Sequence, residues 1–136
     1  YFGEKDFQQL QIVKKMVQKA KMPVNVIGCP IFREENGLAM SSRNERLSLA
    51  EKDEAALIYS VLKTAKEKFG TENAQEITDW SASVFEKNKD FKLEYFEIAD
   101  EEDLLPLKEI EGHKKYRAFI AVFVNGIRLI DNILLN

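Results

Sequence analysis

The segment Glu34-Glu35-Asn36-Gly37-Leu38-Ala39-Met40-Ser41-Ser42-Arg43-Asn44 gathers groups that can do chemistry: a glycine turn, two adjacent hydroxyls and a guanidinium. Serine hydroxyls and backbone N–H groups donate to phosphate oxygens, and arginine grips them bidentately while cancelling charge. The loop is therefore a candidate site for a polyphosphate or another anion. It is not a Walker loop, because neither G-x-x-x-x-G-K-[ST] nor G-x-G-x-x-G occurs in the chain. The alternative on residues alone is a turn opening a helix, since Ser and Asn bond their own backbone well.

A second chemical element opens the chain, Tyr1-Phe2-Gly3-Glu4-Lys5-Asp6-Phe7-Gln8-Gln9-Leu10. An aromatic pair, a glycine and Lys-Asp ahead of an apolar helical pattern read as a strand end turning into a helix. Free N–H groups at a helix N-terminus favour anions. Lys5 adds a mobile positive charge. Asp6 suits either acceptance from ribose hydroxyls or capping of the helix. Gln9 shares a helix face with Asp6 and both donates and accepts. The plainer alternative is an ordinary capped surface helix.

Phe2-Gly3-Glu4-Lys5-Asp6-Phe7-Gln8-Gln9-Leu10, Gly28-Cys29-Pro30 with Arg33-Glu34, and Asn36 to Asn44 occur in this order. Together they resemble the pantoate–β-alanine ligase (pantothenate synthetase) family. The tail Ala121-Val122-Phe123-Val124-Asn125-Gly126-Ile127-Arg128-Leu129-Ile130-Asp131-Asn132 is similar to that family's closing strand pair. The resemblance thus covers nearly the whole chain, with a generic middle.

The resemblance implies a two-step ligation. Pantoate and ATP form a pantoyl-adenylate and release pyrophosphate; β-alanine then attacks the mixed anhydride and releases AMP. It assigns Gly3, Glu4, Lys5 and Asp6 to ATP, with Lys5 near the phosphates, and Gln9 to pantoate. Met40, Ser41, Ser42 and Arg43 become a loop that closes on the phosphates, the counterpart of the Lys-Met-Ser-Lys-Ser loop of class I aminoacyl-tRNA synthetases. Phe32 contacts the adenosine part through its backbone. Lys5, Ser42 and Arg43 stabilise charge in the transition state, as adenylation chemistry requires.

One departure is large. The family's His-x-Gly-His motif, its magnesium ligands and its β-alanine contacts are absent, and no metal site is assigned to these residues. The only histidine, His113, lies in a Gly-His-Lys-Lys turn matching nothing catalytic. The resemblance therefore implies a C-terminal portion, beginning inside the nucleotide-binding domain and without ligase activity alone. Residues 1–30 are then a remnant of a Rossmann-like nucleotidyltransferase domain and 31–136 a small lid domain. The face around Gly3 to Gln9 is expected to expose apolar surface and to self-associate or be loosely ordered. The intact enzyme is expected to be a homodimer through the other domain. Two alternatives stay open: another nucleotidyltransferase of the same fold, and a non-catalytic interaction module in which Ser41 to Arg43 form only a turn.

Composition fits an intracellular globule. A chain of 136 residues buries roughly 65–70% of its unfolded surface. Apolar residues at 45% and charged ones at 32% argue against disorder. The net charge of −3 offers no basic footprint for nucleic acid. No apolar run approaches the roughly 20 residues of a membrane span. The single cysteine, Cys29, excludes an intrachain disulfide and fits a reducing compartment, so a cytoplasmic location is expected. Cys29 reads as a packed strand-end thiol.

The positioning elements follow from periodicity. Leu10, Val13, Met16, Val17 and Ala20 recur at helical spacing until Pro23. Val24 to Cys29 reads as a buried strand, and Pro30 to Leu47 as the functional loop. Ser48 with Glu51, and Asn73 with Glu76, are capping boxes for two helices. Ile58, Val61, Leu62, Ala65 and Phe69 line the first, which Gly70 ends. Ile77, Trp80, Val84 and Phe85 line the second. Phe91 to Ala99 alternates as a strand, and Asp100-Glu101-Glu102-Asp103 reads as a solvated helix start held down by Leu104, Leu105 and Leu107. Tyr116 to Val124 is a central strand, and Asn125-Gly126 is a type I′ turn returning into Ile127 to Leu135. The expected fold is α/β, becoming α+β towards the C-terminus, with helices packed on a mainly antiparallel three-stranded sheet.

Overall fold

The first strand holds two residues. In the computed structural model, which describes residues 1–136, β1 (Phe2–Gly3) pairs in parallel with β2 (Gly28–Cys29). Between them a 3-10 turn, Glu4–Asp6, runs straight into helix α1 (Phe7–Lys19). The backbone of Gly28 passes so close to this turn that an added Cβ would meet Leu10 Cδ2 at 2.9 Å and Glu4 Cγ at 3.2 Å.

One expectation fails here. The buried strand over Val24 to Cys29 shortens to Gly28–Cys29, with Val24 and Ile27 exposed. A strand extends only as far as a partner satisfies its backbone, and β1 is two residues long. In α1, Val13 and Val17 are half-buried and Met16 and Ala20 exposed; the covered residues are Phe7 and Leu10. Only the first turns of α1 lie against another element, so the helical periodicity continues beyond the surface available to bury it.

The two capping boxes form as expected. Ser48 Oγ accepts from Glu51 N while Glu51 accepts from Ser48 N, opening α2 (Leu49–Lys68). Asn73 and Glu76 do the same for α3 (Ala74–Glu86). Each N-cap contributes about 1 kcal/mol. Gly70, at φ +92°, takes the left-handed conformation that ends a helix cheaply.

Behind these helices lies an antiparallel sheet in the order β3 (Phe91–Asp100), β4 (Tyr116–Val124), β5 (Ile127–Leu134). The apolar run of β4 is the central strand, and Asn125 and Gly126, both at positive φ, close the hairpin to β5. Side chains alternate across the sheet. Tyr116, Ala118, Ile120, Val122 and Val124 face α2 and α3 and join Ile58, Leu62, Ile77 and Phe85 in the main core. Trp80 packs partly buried at its edge. Phe119, from the opposite phase, forms a second cluster with Ala99, Phe7 and Leu10. That cluster seats the start of α1 on the far face of the sheet.

The acidic run does not start a helix. Asp100 ends β3, is 7% exposed, and accepts from Glu102 N at 2.8 Å and Asp103 N at 3.1 Å. Its carboxylate replaces a backbone acceptor and builds a turn instead. Of the leucines expected to hold it down, Leu104 and Leu107 are partly buried and Leu105 is exposed.

Candidate functional site

Residues 32–40 fold back on themselves. Met40 N donates to Phe32 O at 2.9 Å, Glu34 N to Leu38 O at 2.8 Å, and Gly37 N to Glu34 O at 2.9 Å. Gly37 sits at φ +94°, with Tyr59 of α2 packed where a side chain would be. Asn36 ties the tip to α2 by donating to Lys52 O at 3.0 Å. Buried Asn44 donates to Glu34 Oε1 and Ala39 O, so the turn and the following 3-10 helix, Ser42–Arg46, are one unit. Ser41 Oγ caps that helix by accepting from Arg43 N at 3.2 Å.

The Lys5 turn reaches this unit through β5. Asn132 Nδ2 donates to Glu4 O at 2.9 Å and Lys5 O at 3.0 Å. Its Oδ1 accepts from Arg117 Nη1 at 2.7 Å, and Arg117 lies over the Phe7 ring. One residue earlier, Asp131 points to the other side of the strand. It accepts from Arg33 Nη1 at 2.6 Å and Nη2 at 3.0 Å, while Arg33 stacks on Tyr59, 3.8 Å from the ring centroid. Successive residues of one strand thus hold the two site segments from opposite faces.

The result is a cavity lined by Lys5, Leu38, Ala39, Ser41, Arg43, Asn44, Ile58 and the β5 residues Arg128 to Asp131. Arg43 donates to Arg128 O at 3.3 Å. Three cationic side chains, Lys5, Arg43 and Arg128, border it. Two nearby carboxylates are already paired: Asp131 with Arg33, and Glu94 with Arg128 Nε at 2.6 Å. Burial lowers the pKa of Lys5, Asp6 and Asp131 pull it back up, and Arg43 and Arg128 push it further down. Burial raises the Asp131 carboxyl above its usual range against the opposing pull of Arg33. Glu94 holds Arg128 more firmly protonated.

Of the residues singled out in the sequence, Lys5, Ser41 and Arg43 meet at this cavity. Ser42, Met40 and Phe32 are exposed on the same unit but do not line it. Gly3, Asp6 and Gln9 are exposed on the Lys5 segment, and Glu4 is half-buried there. Asp6 makes no side-chain cap bond to α1. The residues to which the sequence assigns no role are Arg33, Asn44, Tyr59, Arg117, Arg128, Asp131 and Asn132. The signal that marks this group is Asp131-Asn132, a polar pair inside an otherwise apolar strand. No group of three His, Cys, Asp or Glu side chains forms a metal cage. His113 is exposed and does not line the cavity.

Known proteins match this chain from end to end. The family model for pantoate-beta-alanine ligase matches residues 1–134. Pantothenate synthetase of Christiangramia forsetii is 57% identical over 136 residues, covering 100% of this chain and 48% of that protein. That of Flavobacterium psychrophilum is 60% identical over 133 residues, covering 98% and 47%. The crystal structure of pantothenate synthetase from Thermus thermophilus superposes with a TM-score of 0.88 at 37% identity, covering 99% of this chain and 49% of that one. Pantoate-beta-alanine ligase from Francisella tularensis, complexed with beta-gamma ATP and beta-alanine, superposes with a TM-score of 0.65 at 30% identity, covering 99% and 42%. The chain spans about half the length of the curated relatives it matches. With the Lys5 and Ser41–Arg43 segments joined as described, the chain belongs to the pantoate–beta-alanine ligase family.

Proposed function

We propose that this chain supplies the phosphate-binding half of an ATP-dependent ligase joining pantoate to β-alanine. The observation that carries the reading is the meeting of Lys5, Ser41 and Arg43 at one cavity with Arg128, where the one carboxylate of the lining, Asp131, is already paired with Arg33. A pantoate carboxylate oxygen attacks the α-phosphorus of ATP, the bond to pyrophosphate breaks, and pantoyl-adenylate forms. The β-alanine amine then attacks the acyl carbon, AMP leaves, and the amide remains. Negative charge accumulates on phosphate oxygens in the first step, and Lys5, Ser42 and Arg43 are its stabilisers.

On this reading Gly3, Glu4, Lys5, Asp6, Phe32, Met40, Ser41, Ser42 and Arg43 serve ATP, and Gln9 serves pantoate. Mg2+ would accompany ATP, with its protein ligands lying outside these residues. Residues 1–30 belong to the nucleotide-binding domain and 31–136 to a lid, a division supported by the separate parallel pair β1–β2 and antiparallel sheet β3–β5. The enzyme works in the cytoplasm as a homodimer through its other domain. No helix of this chain is long and apolar enough to cross a membrane.

The test is an NMR titration with magnesium-ATP, following the amides of Lys5, Asp6, Ser41, Ser42 and Arg43. Localised shifts that disappear in Arg43→Ala support the reading. A second arm adds the N-terminal half of a relative in trans and assays pantothenate formation, which this chain alone is expected not to support. A response to neither ATP nor the added half would favour a turn that only caps its own helix, the role Ser41 already plays.

A further inference from the structure

We propose that Asn132 is a positioning residue for Lys5: its carboxamide, oriented by Arg117, fixes the Glu4–Lys5 turn so that the lysine faces the Ser41–Arg43 loop. The function of this placement rests on the reading above; the placement itself rests on geometry. Asn132 is 2% exposed, lies on β5, and is 127 residues from Lys5 in sequence. A carboxamide has two donor hydrogens and one acceptor oxygen. This one satisfies two consecutive carbonyls of a turn, Glu4 O and Lys5 O, at 2.9 and 3.0 Å.

The orientation of the amide is decided by its other end. Arg117 has only donors, so the atom 2.7 Å from its Nη1 must be the Asn132 oxygen, and the NH2 group must face the turn. A flipped amide would set its oxygen against two carbonyls and its NH2 against a guanidinium. Arg117 is itself held: it is 6% exposed, stacks over Phe7 at 4.0 Å, and lies 3.6 Å from Glu101. The chain of contacts runs from the sheet through Arg117 and Asn132 to the backbone of the residue that carries the cation.

A 3-10 turn of three residues has few bonds of its own and tolerates several orientations. Without the Asn132 contacts, Glu4 O and Lys5 O would seek water, and the turn would rotate outwards. Lys5 Nζ would then leave the half-buried position between Arg43 and Arg128. Asp131 next door holds Arg33, so the two adjacent residues set the distance between the lysine and the loop.

The experiment uses the 136-residue chain, in which the Lys5 side chain is followed by NMR through its Cε signals during a pH titration. Asn132→Ala should return the lysine titration towards its ordinary range, with the Ile120 and Val122 core amides unmoved. Asn132→Asp keeps the shape and the Arg117 bond but turns an anion towards two carbonyls. It should weaken magnesium-ATP binding, read at the amides of Lys5 and Ser42 alike, by about tenfold or more, short of the roughly 10²-fold that misplacement by an ångström costs in catalysis. If Asn132→Ala does not fold, Asn132→Asp alone decides. Variants that lower the melting temperature but leave the Lys5 titration and ATP response as in the wild type would overturn the proposal, since Asn132 would then be only structural. A wild type silent both to ATP and to the added N-terminal half, whose Lys5 titration still moves in Asn132→Ala, would sink the ligase reading and leave the positioning role standing.

Discussion

Arg33 and Asp131, 98 residues apart, meet through two hydrogen bonds of 2.6 and 3.0 Å, and the guanidinium lies on the Tyr59 ring. The pair joins the turn before the Met40–Arg43 loop to the last strand. Asp131 is almost fully covered, with 3% of its side chain exposed; Asn132 N also donates to it at 2.7 Å, but Arg33 is the one cation paired with it.

Arg33→Met is therefore expected to cost about 3–5 kcal/mol at neutral pH, the usual penalty for stranding a buried charge. The penalty should shrink as pH falls. Burial already raises the Asp131 pKa, and loss of Arg33 raises it further. A carboxyl with a raised folded pKa contributes stability below its unfolded pKa and loses it as pH rises through the folded value. Urea denaturation of both proteins near pH 7 and pH 4 checks this. A gap of equal size at both pH values would contradict it.

Gly37→Ala combines two costs. Its φ of +94° is strained for any side chain, and the new Cβ would run into Tyr59 Cδ1. Backbone strain of about 1–3 kcal/mol and overpacking of about 1–3 kcal/mol predict a loss of at least about 2 kcal/mol. Displacing Tyr59 also removes the platform under Arg33. Thermal unfolding together with the Arg33 side-chain NMR signals would show both effects. A neutral substitution would mean that the turn relaxes without moving the ring.

Much of this was legible because it is local. Ser48-Glu51 and Asn73-Glu76 are adjacent reciprocal caps, and Asn125-Gly126 needs only its own φ angles. The Lys5 and Ser41–Arg43 segments were visible as residue types, and the resemblance supplied their partnership. Arg33–Asp131 and Asn132–Lys5 were not legible, because they depend on where β5 lands, and nothing local tells a paired arginine from a free one. The Val24–Cys29 strand failed for the converse reason. Apolar pattern records the capacity to be buried, whereas burial also needs a surface to meet. Asp100 misled because an acidic run before leucines resembles a helix start, while its carboxylate was already occupied by Glu102 and Asp103 N–H groups.

That turn gives an acid-stability prediction. Burial favours the neutral form of Asp100, but the two N–H bonds and Lys114 outweigh it and lower the pKa. A lowered carboxyl contributes stability above its unfolded pKa and loses it as pH falls through the folded value. Asp100→Asn should therefore flatten the acid limb of the stability curve below about pH 4, the unfolded value of an aspartate. Melting temperatures measured across that range decide; parallel acid limbs would argue that other carboxylates govern acid unfolding.

Lys5 presents the opposite balance, between stability and use. Its ammonium is half-buried, and its pKa is lowered from 10.5, first by burial. The unfolded chain then binds that proton more tightly than the folded one, so the charged lysine disfavours folding at neutral pH, and the cost fades as pH rises towards 10.5. Lys5→Met keeps an apolar stem and removes the charge. We expect it to raise stability near neutral pH by up to about 1 kcal/mol, allowing for solvent screening at a half-exposed site. The advantage should vanish in alkaline solution. The same variant should lose the magnesium-ATP response at the Ser41–Arg43 amides, because one of the three cations is gone. Denaturation curves at neutral and alkaline pH, paired with the ATP titration, test both halves. A Lys5→Met protein less stable than the wild type would show that the lysine is held by favourable contacts, and the site would then not be one where stability has been given up for anion binding.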